Sequence, residues 1–273
     1  MNALAEATGR LAAAGVTTPR VDAELLLAHV LGIPRSRLLS ARPSDEQRSA
    51  FAELIARRAA RVPLQHLTGT APFRHLELRV GPGVFVPRPE TELLVDAVLA
   101  DEPQVVVDLC AGTGALALAI AQEAPGTTCY AVERSPDALD WLRRNAAGTD
   151  VVVVAADVRE PGLLAELAGR ADAVVSNPPY VPRTTALDPE VRADPDEAVF
   201  GGTDGLAVIP SVIARAADLL RPNGLFVMEH DDTQGRSVPD LLERDGRWTA
   251  TADHDDLTGR PRFVTARRCG DHR

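Results

Sequence analysis

The sequence predicts a doubly wound α/β domain with a mainly parallel sheet, preceded by a small helical bundle and a β-hairpin linker. Three observations predict it. After Asp101-Glu102-Pro103, short continuous apolar runs alternate with helix-period stretches, the pattern of strands buried on both faces. Up to about Val62, apolar residues recur at helical spacing. Between the two, Phe73 to Val80 alternates residue by residue, Gly81-Pro82-Gly83 turns the chain, and Val84-Phe85-Val86 returns it.

In chain order, Leu4, Leu11, Val21, Leu25, Leu26, Leu27, Val30 and Leu31 mark the first helices, broken at Gly15 and at Gly32-Ile33-Pro34. A further helix opens at Ser44, an N-cap with Gln47 three residues on, and carries Phe51, Leu54 and Ile55 on one face. Its tail, Arg57-Arg58-Ala59-Ala60-Arg61, is the densest basic patch; cations suit the last turn of a helix, so a solvated helix end is expected there. Pro87 to Glu92 opens a helix that runs through about Ala100. Strands are expected at 104–109, 128–132, 151–155, 172–176 and 225–229, and helices at 115–124, 135–147, 162–169 and 205–220. Arg262 to Arg267 reads as an edge strand near the end.

At 273 residues the chain can bury one large core and a small accessory domain. Its net charge of −10, with arginine as its only strong cation, argues against a phosphate backbone as main partner. Cys110, Cys129 and Cys269 are an odd number without metal-ligand spacing, which suits buried thiols in a reducing compartment. With no basic-then-apolar leader and no apolar run of spanning length, a soluble cytoplasmic protein without membrane attachment is expected.

Chemistry concentrates in two stretches. The first, Val105 to Ala117, is a strand, a glycine loop (Asp108-Leu109-Cys110-Ala111-Gly112-Thr113-Gly114) and a helix start. Gly112 and Gly114 let the backbone approach a ligand, and Ala117 lets the helix sit close to the sheet. A carboxylate at Asp108 would repel a pyrophosphate and attract a cation, so the loop suits the amino-acid-bearing sulfonium of S-adenosylmethionine better than NAD. Glu133, ending the next strand, is placed to accept both hydroxyls of a ribose, although it would also serve as a helix-start acid before Ser135-Pro136. Asp157, ending the third strand, is a candidate for the adenine amino group beside Val158. The second stretch is Val174 to Tyr180. Its prolines leave acceptors unpaired and push the chain into a rigid extended lip, so the Asn177 side-chain carbonyl and the Pro178 main-chain carbonyl could jointly grip an NH₂ group; a proline turn closing a strand is the plainer reading.

With the glycine loop, Glu133 and Asn177-Pro178-Pro179-Tyr180 together, the chain resembles class I (Rossmann-like, seven-stranded) methyltransferases that act on a planar amino group. Pro63 to Gly69, Val86 to Glu92 and Phe200 to Leu206 narrow the resemblance, over nearly the full length, to the PrmC/HemK family of release factor glutamine N(5)-methyltransferases. The family implies a helical substrate-docking domain at 1–72, a β-hairpin linker at 73–86 and a methyltransferase domain at 87–273 that uses S-adenosylmethionine and releases S-adenosylhomocysteine. It implies a protein substrate, the Gly-Gly-Gln glutamine of class I peptide chain release factors, and no stable nucleic-acid partner. The cofactor residues it implies are Asp108, Cys110, Ala111, Gly112, Thr113, Gly114, Glu133, Asp157, Val158 and Asn177; the catalytic ones are Asn177, Pro178, Pro179 and Tyr180, with no metal. Cys110-Ala111 and Val158 depart from residues common in the family. Glu229 and His230, ending the fifth strand, read as supporting residues without a role as base. An adenine-N(6) DNA methyltransferase shares the Asn-Pro-Pro-Tyr motif, and a helical adaptor with a degenerate cofactor loop is the non-catalytic alternative. The acidic balance opposes the first, and the complete cofactor set opposes the second.

Overall fold

The computed structural model describes residues 2–270, so Met1 and residues 271–273, the outer ends of the first and last expected domains, lie outside it. The chain divides into two compact units. One comprises the residues up to Thr70 with Val80–Pro82 and Leu187–Asp194; the other holds the remainder.

The first unit packs α1 (Asn2–Ala13), α2 (Pro19–Leu31), α3 (Asp45–Ala59) and α4 (Leu64–Thr68) around Leu11, Leu26, Phe51, Ile55 and Leu67. The predicted cap at Ser44 is present in full: its hydroxyl accepts from the Gln47 N–H, and the Gln47 side chain accepts from the Ser44 N–H. The solvated helix end predicted at Arg57 to Arg61 holds only for Arg57. Arg58 is buried, donating through Nε to Asp22 at 2.7 Å and pairing through Nη2 with Glu190 at 2.8 Å, while Arg61 donates through Nε to Glu190 at 2.7 Å. Burial by itself would raise the Glu190 carboxyl, but the hydrogen bonds from Arg61 and Arg58 outweigh it and hold it at about 2.

A hairpin follows, β1 (Thr70–Phe73) and β2 (Leu76–Arg79), which belongs to the second unit from Ala71 on. The turn falls at Arg74-His75 rather than at the predicted Gly81-Pro82-Gly83, and Val84-Phe85-Val86 forms no strand. The reason lies in Arg74. Its left-handed backbone (φ 52°) closes a tight two-residue turn, and its side chain donates to Glu123 and Asp96 while its N–H donates to Glu92, which fastens the turn to the helices beyond.

Those helices and the strands follow as α5 (Glu92–Leu99), β3 (Val105–Leu109), α6 (Ala115–Glu123), β4 (Thr128–Glu133), α7 (Pro136–Ala146), β5 (Val152–Ala155), β6 (Ala171–Ser176), α8 (Asp196–Val199), α9 (Ile209–Leu219), β7 (Leu220–Glu229), α10 (Ser237–Asp245), β8 (Trp248–Asp255) and β9 (Pro261–Arg268). The sheet order is β5-β4-β3-β6-β7-β9-β8, with β9 antiparallel to β7 and to β8 and the other pairs parallel. Successive strand residues feed two separate cores, Val106, Ala173, Val175 and Val227 on one face and Val107, Val174, Phe226 and Met228 on the other, as expected of a sheet covered on both sides. Three expectations need correction. The helix at 162–169 shrinks to a single 3₁₀ turn, Ala165–Leu167, and the helix expected from 205 starts at Ile209. Arg262 to Arg267 lies inside the sheet, because β8, a strand largely exposed and polar along its length, takes the edge.

The order reverses between β3 and β6: β4 and β5 extend the sheet from β3 in one direction and β6 and β7 in the other. In a doubly wound fold the crevice beyond the carboxyl ends of two such strands is where ligands bind.

Candidate active site

The register fixes which residues meet there. Leu109 stands opposite Ser176, whose hydroxyl donates to the Leu109 carbonyl at 2.6 Å, so the chains leaving β3 and β6 start out side by side. Ser176 in turn pairs with Met228, which sets Asn177 beside Glu229. On the other flank Leu109 pairs with Val132, and the Ala111 N–H donates to the Val132 carbonyl at 2.9 Å, which draws the glycine loop toward Glu133.

The loop is built for close approach. Gly112 (φ 55°) and Gly114 (φ 85°) are left-handed, and a Cβ at Gly114 would fall 2.5 Å from Leu142 Cδ1, whereas one at Gly112 would enter open space. Cys110 adopts the same left-handed backbone (φ 64°) with a side chain. The Gly112 N–H donates to Glu133 Oε2 at 2.9 Å, and the N–H groups of Arg134 and Ser135 donate to Oε1 at 2.7 and 2.8 Å. Loop and acid are thus in contact, and the bonds from Arg134 and Ser135 are those of an acid at a helix start. Asn145 ties the loop from behind, donating through Nδ2 to the carbonyls of Thr113 and Arg79, both at 3.0 Å.

Asp108 differs from its expectation. It is sealed under the loop, with Oδ2 accepting from the Ala117 N–H at 3.2 Å and Oδ1 buried without a hydrogen bond. Burial, reinforced by the nearby Glu133 charge, pushes its carboxyl up to about 8. At neutral pH it is largely protonated, so the attraction of a bare carboxylate for a cation is not supplied here; the ionisable group that faces the loop is Glu133. Asp157 is also engaged. The Arg159 guanidinium takes both of its oxygens, with Nε donating to Oδ1 at 2.8 Å, and this pairing holds the carboxyl at about 2. The Val158 side chain is buried in the core, which leaves its main chain for any ligand contact.

At the lip, the Asn177 side chain donates through Nδ2 to Thr91 Oγ1 at 3.2 Å. The Thr91 hydroxyl donates to Glu229 Oε2 at 2.7 Å, and the Tyr180 hydroxyl donates to Glu229 Oε1 at 2.7 Å. Burial pushes the Glu229 carboxyl up, while the two hydroxyls and the Arg262 charge favour its anion. The main chain of the lip is held from below by Phe200 to Gly205. Val181 donates to Val199 and accepts from Gly201, and Gln234 Nε2 donates to the Tyr180 carbonyl at 3.1 Å. A Cβ at Gly205 would lie 2.1 Å from the Tyr180 carbonyl oxygen, and one at Gly201 2.6 Å from that of Pro179, so both glycines are there to let two backbones touch. Among the described residues, Asn177 Oδ1 and the Pro178 carbonyl take part in no hydrogen bond.

Sequence reasoning had identified the stretches containing Thr91 and Phe200 to Leu206, and Glu229 itself, without assigning them work. Gln234 and Asn145 gave no signal, because each acts across a fold boundary that only the sheet order reveals.

Comparison with known proteins bears on the family and the fold. Residues 2–69 match the family described as PrmC N-terminal domain, and residues 76–191 match Methyltransferase small domain. The release factor glutamine methyltransferase of Mycolicibacterium smegmatis is 55% identical over 97% of this chain and 96% of its own. That of Streptomyces coelicolor is 50% identical over the same shares. Among solved structures, a methyltransferase from Pyrococcus furiosus (TM-score 0.54, 14% identity) covers 72% of this chain and 91% of its own. The Thermus thermophilus 16S rRNA N2 G1207 methyltransferase, in complex with AdoMet and guanosine (TM-score 0.50, 24% identity), covers 73% of this chain and 49% of its own. Both share the fold.

Proposed function

The chain belongs to the release factor glutamine methyltransferase family, and from that premise we propose that it methylates the side-chain amide nitrogen of the Gly-Gly-Gln glutamine in class I peptide chain release factors. The observation that carries the proposal is the pair of unclaimed acceptors, Asn177 Oδ1 and the Pro178 carbonyl, on a rigid lip beside the glycine loop. A glutamine NH₂ has two N–H bonds to give.

The residues fit S-adenosylmethionine: Gly112 has open space where a side chain would stand, and Glu133 offers a carboxylate at the strand end. Gly112, Thr113, Gly114 and Glu133 would hold it, with Cys110, Ala111 and Asn177 alongside and the Val158 main chain beyond. When bound, S-adenosylmethionine supplies an electrophilic methyl group on sulfur. The protein must make a poor nucleophile attack it. An amide lone pair is delocalised into its carbonyl; accepting both N–H groups at Asn177 and Pro178 would orient the nitrogen and stabilise the positive charge that grows on it when it takes the methyl group. The proton then leaves to water. Glu229 is occupied by two hydroxyls, so no base is required of it. Tyr180, its hydroxyl tethered, offers a fixed ring for the flat amide to pack against.

A protein acceptor in the cytoplasm, with no stable nucleic-acid partner, accords with the charge of the chain. Net charge is −10, and two of the three arginines in its densest basic cluster, Arg58 and Arg61, are neutralised by Asp22 and Glu190. An adenine enzyme must extrude its base and hold phosphates. The cysteines are free, and among the described residues no helix is long and apolar enough to cross a membrane. The test supplies radiolabelled S-adenosylmethionine with either a release factor or duplex DNA at low salt. Label is expected on the Gly-Gly-Gln peptide, lost by about 10²-fold or more in Asn177→Ala; label in DNA alone would overturn the proposal.

A further inference from the structure

Resting on that reading, we propose that Thr91 and Glu229 are positioning residues that set which end of the Asn177 amide faces the substrate. An asparagine side chain has a donor end and an acceptor end of nearly the same shape, and methyl transfer needs the acceptor end outward, because a glutamine NH₂ arriving at a second NH₂ finds no acceptor. The chain Asn177, Thr91, Glu229 removes the ambiguity by counting protons. As a carboxylate, Glu229 only accepts. The hydroxyls of Thr91 and Tyr180, each 2.7 Å from one of its oxygens, must therefore both donate to it. Thr91 has a single proton, already given, so toward Asn177, 3.2 Å away, its oxygen can only accept. The NH₂ end of Asn177 is thereby drawn inward and Oδ1 is turned out.

The relay is enclosed. Thr91 is 3% and Glu229 1% exposed, so water does not compete for the Thr91 hydroxyl, while Asn177 and Tyr180 are half-buried. Its members come from three elements, the 3₁₀ turn Pro89–Thr91, the end of β7 and the lip after β6, and the register that puts Ser176 opposite Met228 brings them together. The Tyr180 hydroxyl donates to the same carboxyl group, so one buried acid holds side chains on both sides of the lip.

Thr91→Val keeps the shape and deletes the hydroxyl; Thr91→Ser restores it; Glu229→Gln keeps the shape and offers an NH₂ to one of the two hydroxyls, reversing one arm. With a release factor as substrate, kcat is expected to fall roughly five- to tenfold in Thr91→Val, the weight of one hydrogen bond. A fall of about tenfold or more is expected in Glu229→Gln, with near-normal turnover in Thr91→Ser. The Kd for S-adenosylmethionine should stay within about twofold throughout, which a general loss of structure would not allow. A second readout needs no substrate. In chain labelled with ¹⁵N-asparagine only four side-chain NH₂ pairs are present, and that of Asn177, assigned by its absence in Asn177→Ala, should exchange with solvent slowly in the wild type and Thr91→Ser but quickly in Thr91→Val. Wild-type kcat in both Thr91→Val and Glu229→Gln, or an Asn177 NH₂ pair exchanging equally fast with and without the Thr91 hydroxyl, would overturn the inference. If the wild type leaves release factors unmethylated, the proposed function falls, while the NMR comparison still decides the relay.

Discussion

Asp108 stands at the right place in the sequence for a cofactor residue, and the structure gives it a different physical character from the one its chemistry suggested. A carboxyl with one oxygen on the Ala117 N–H and the other unpartnered in a closed space is costly to ionise, and burial moves it to about 8. The sign of its effect on folding follows. The unfolded chain releases this proton near pH 4 and the native chain keeps it until about 8, so the stability contributed by Asp108 is complete below about 4 and disappears as pH rises through about 8. Asp108→Asn resembles the protonated acid at every pH. In thermal melts of the unliganded proteins, the variant is expected to gain on the wild type by several degrees between pH 5 and pH 8; a pH-independent difference would show that Asp108 is already ionised in the folded chain. At this scale the sequence disclosed residue types and positions along strands, which is why the loop, Glu133 and Asn177 were all legible. It did not disclose partners: both acids are buried, but Glu133 accepts from three main-chain N–H groups, whereas Asp108 accepts from one and leaves an oxygen unpartnered.

At the scale of elements, the strands and helices around the site were visible because each carries its own period, and those between 104 and 155, like β6, fall within a residue or so of their expected ends. What stayed hidden depends on distant pairing. The hairpin turn moved to Arg74-His75 because three acidic side chains on later helices reward that geometry, and β8 escaped notice because its polar exposed pattern looks like loop until β9 pairs with it. The Phe200 to Leu206 stretch was recognisable, yet its purpose was not. In the structure it is the floor of the lip, and Gly205 is where floor and lip touch. Gly205→Ala adds a methyl group 2.1 Å from the Tyr180 carbonyl oxygen, at a left-handed backbone (φ 79°); Gln234 Nε2, 2.5 Å away, ends a side chain that can step aside, but the Tyr180 carbonyl is main chain and cannot. The lip must move. Because a displacement of about 1 Å can cost about 10²-fold in rate, methyl transfer should drop by that order while calorimetry finds S-adenosylmethionine affinity nearly unchanged, since the glycine loop and Glu133 do not touch Gly205. Retained turnover would show that the lip tolerates displacement.

At the scale of the whole molecule, the residues up to Thr70, with Val80–Pro82 and Leu187–Asp194, form a unit with a core of its own. None of the loop, acid or lip residues belongs to it, and the other unit contains two further cores and the entire candidate site. We propose that this helical unit, which carries none of the candidate site residues, docks the protein substrate. A chain beginning at Phe73 should therefore bind S-adenosylmethionine within a few-fold of the full-length protein but show a much raised KM for a release factor, with kcat/KM lower by about tenfold or more. Truncation has a second effect that must be separated from the first. It removes Arg58 and Arg61, the partners that hold the Glu190 carboxyl at about 2, and so strips the segment Leu187–Asp194. Full-length Glu190→Gln weakens those ion pairs while every helix remains. If docking by the helices is the cause, Glu190→Gln keeps most of its kcat/KM and the truncated chain does not; if Glu190→Gln loses as much as the truncation, the effect belongs to the 187–194 segment and the helices serve to hold it.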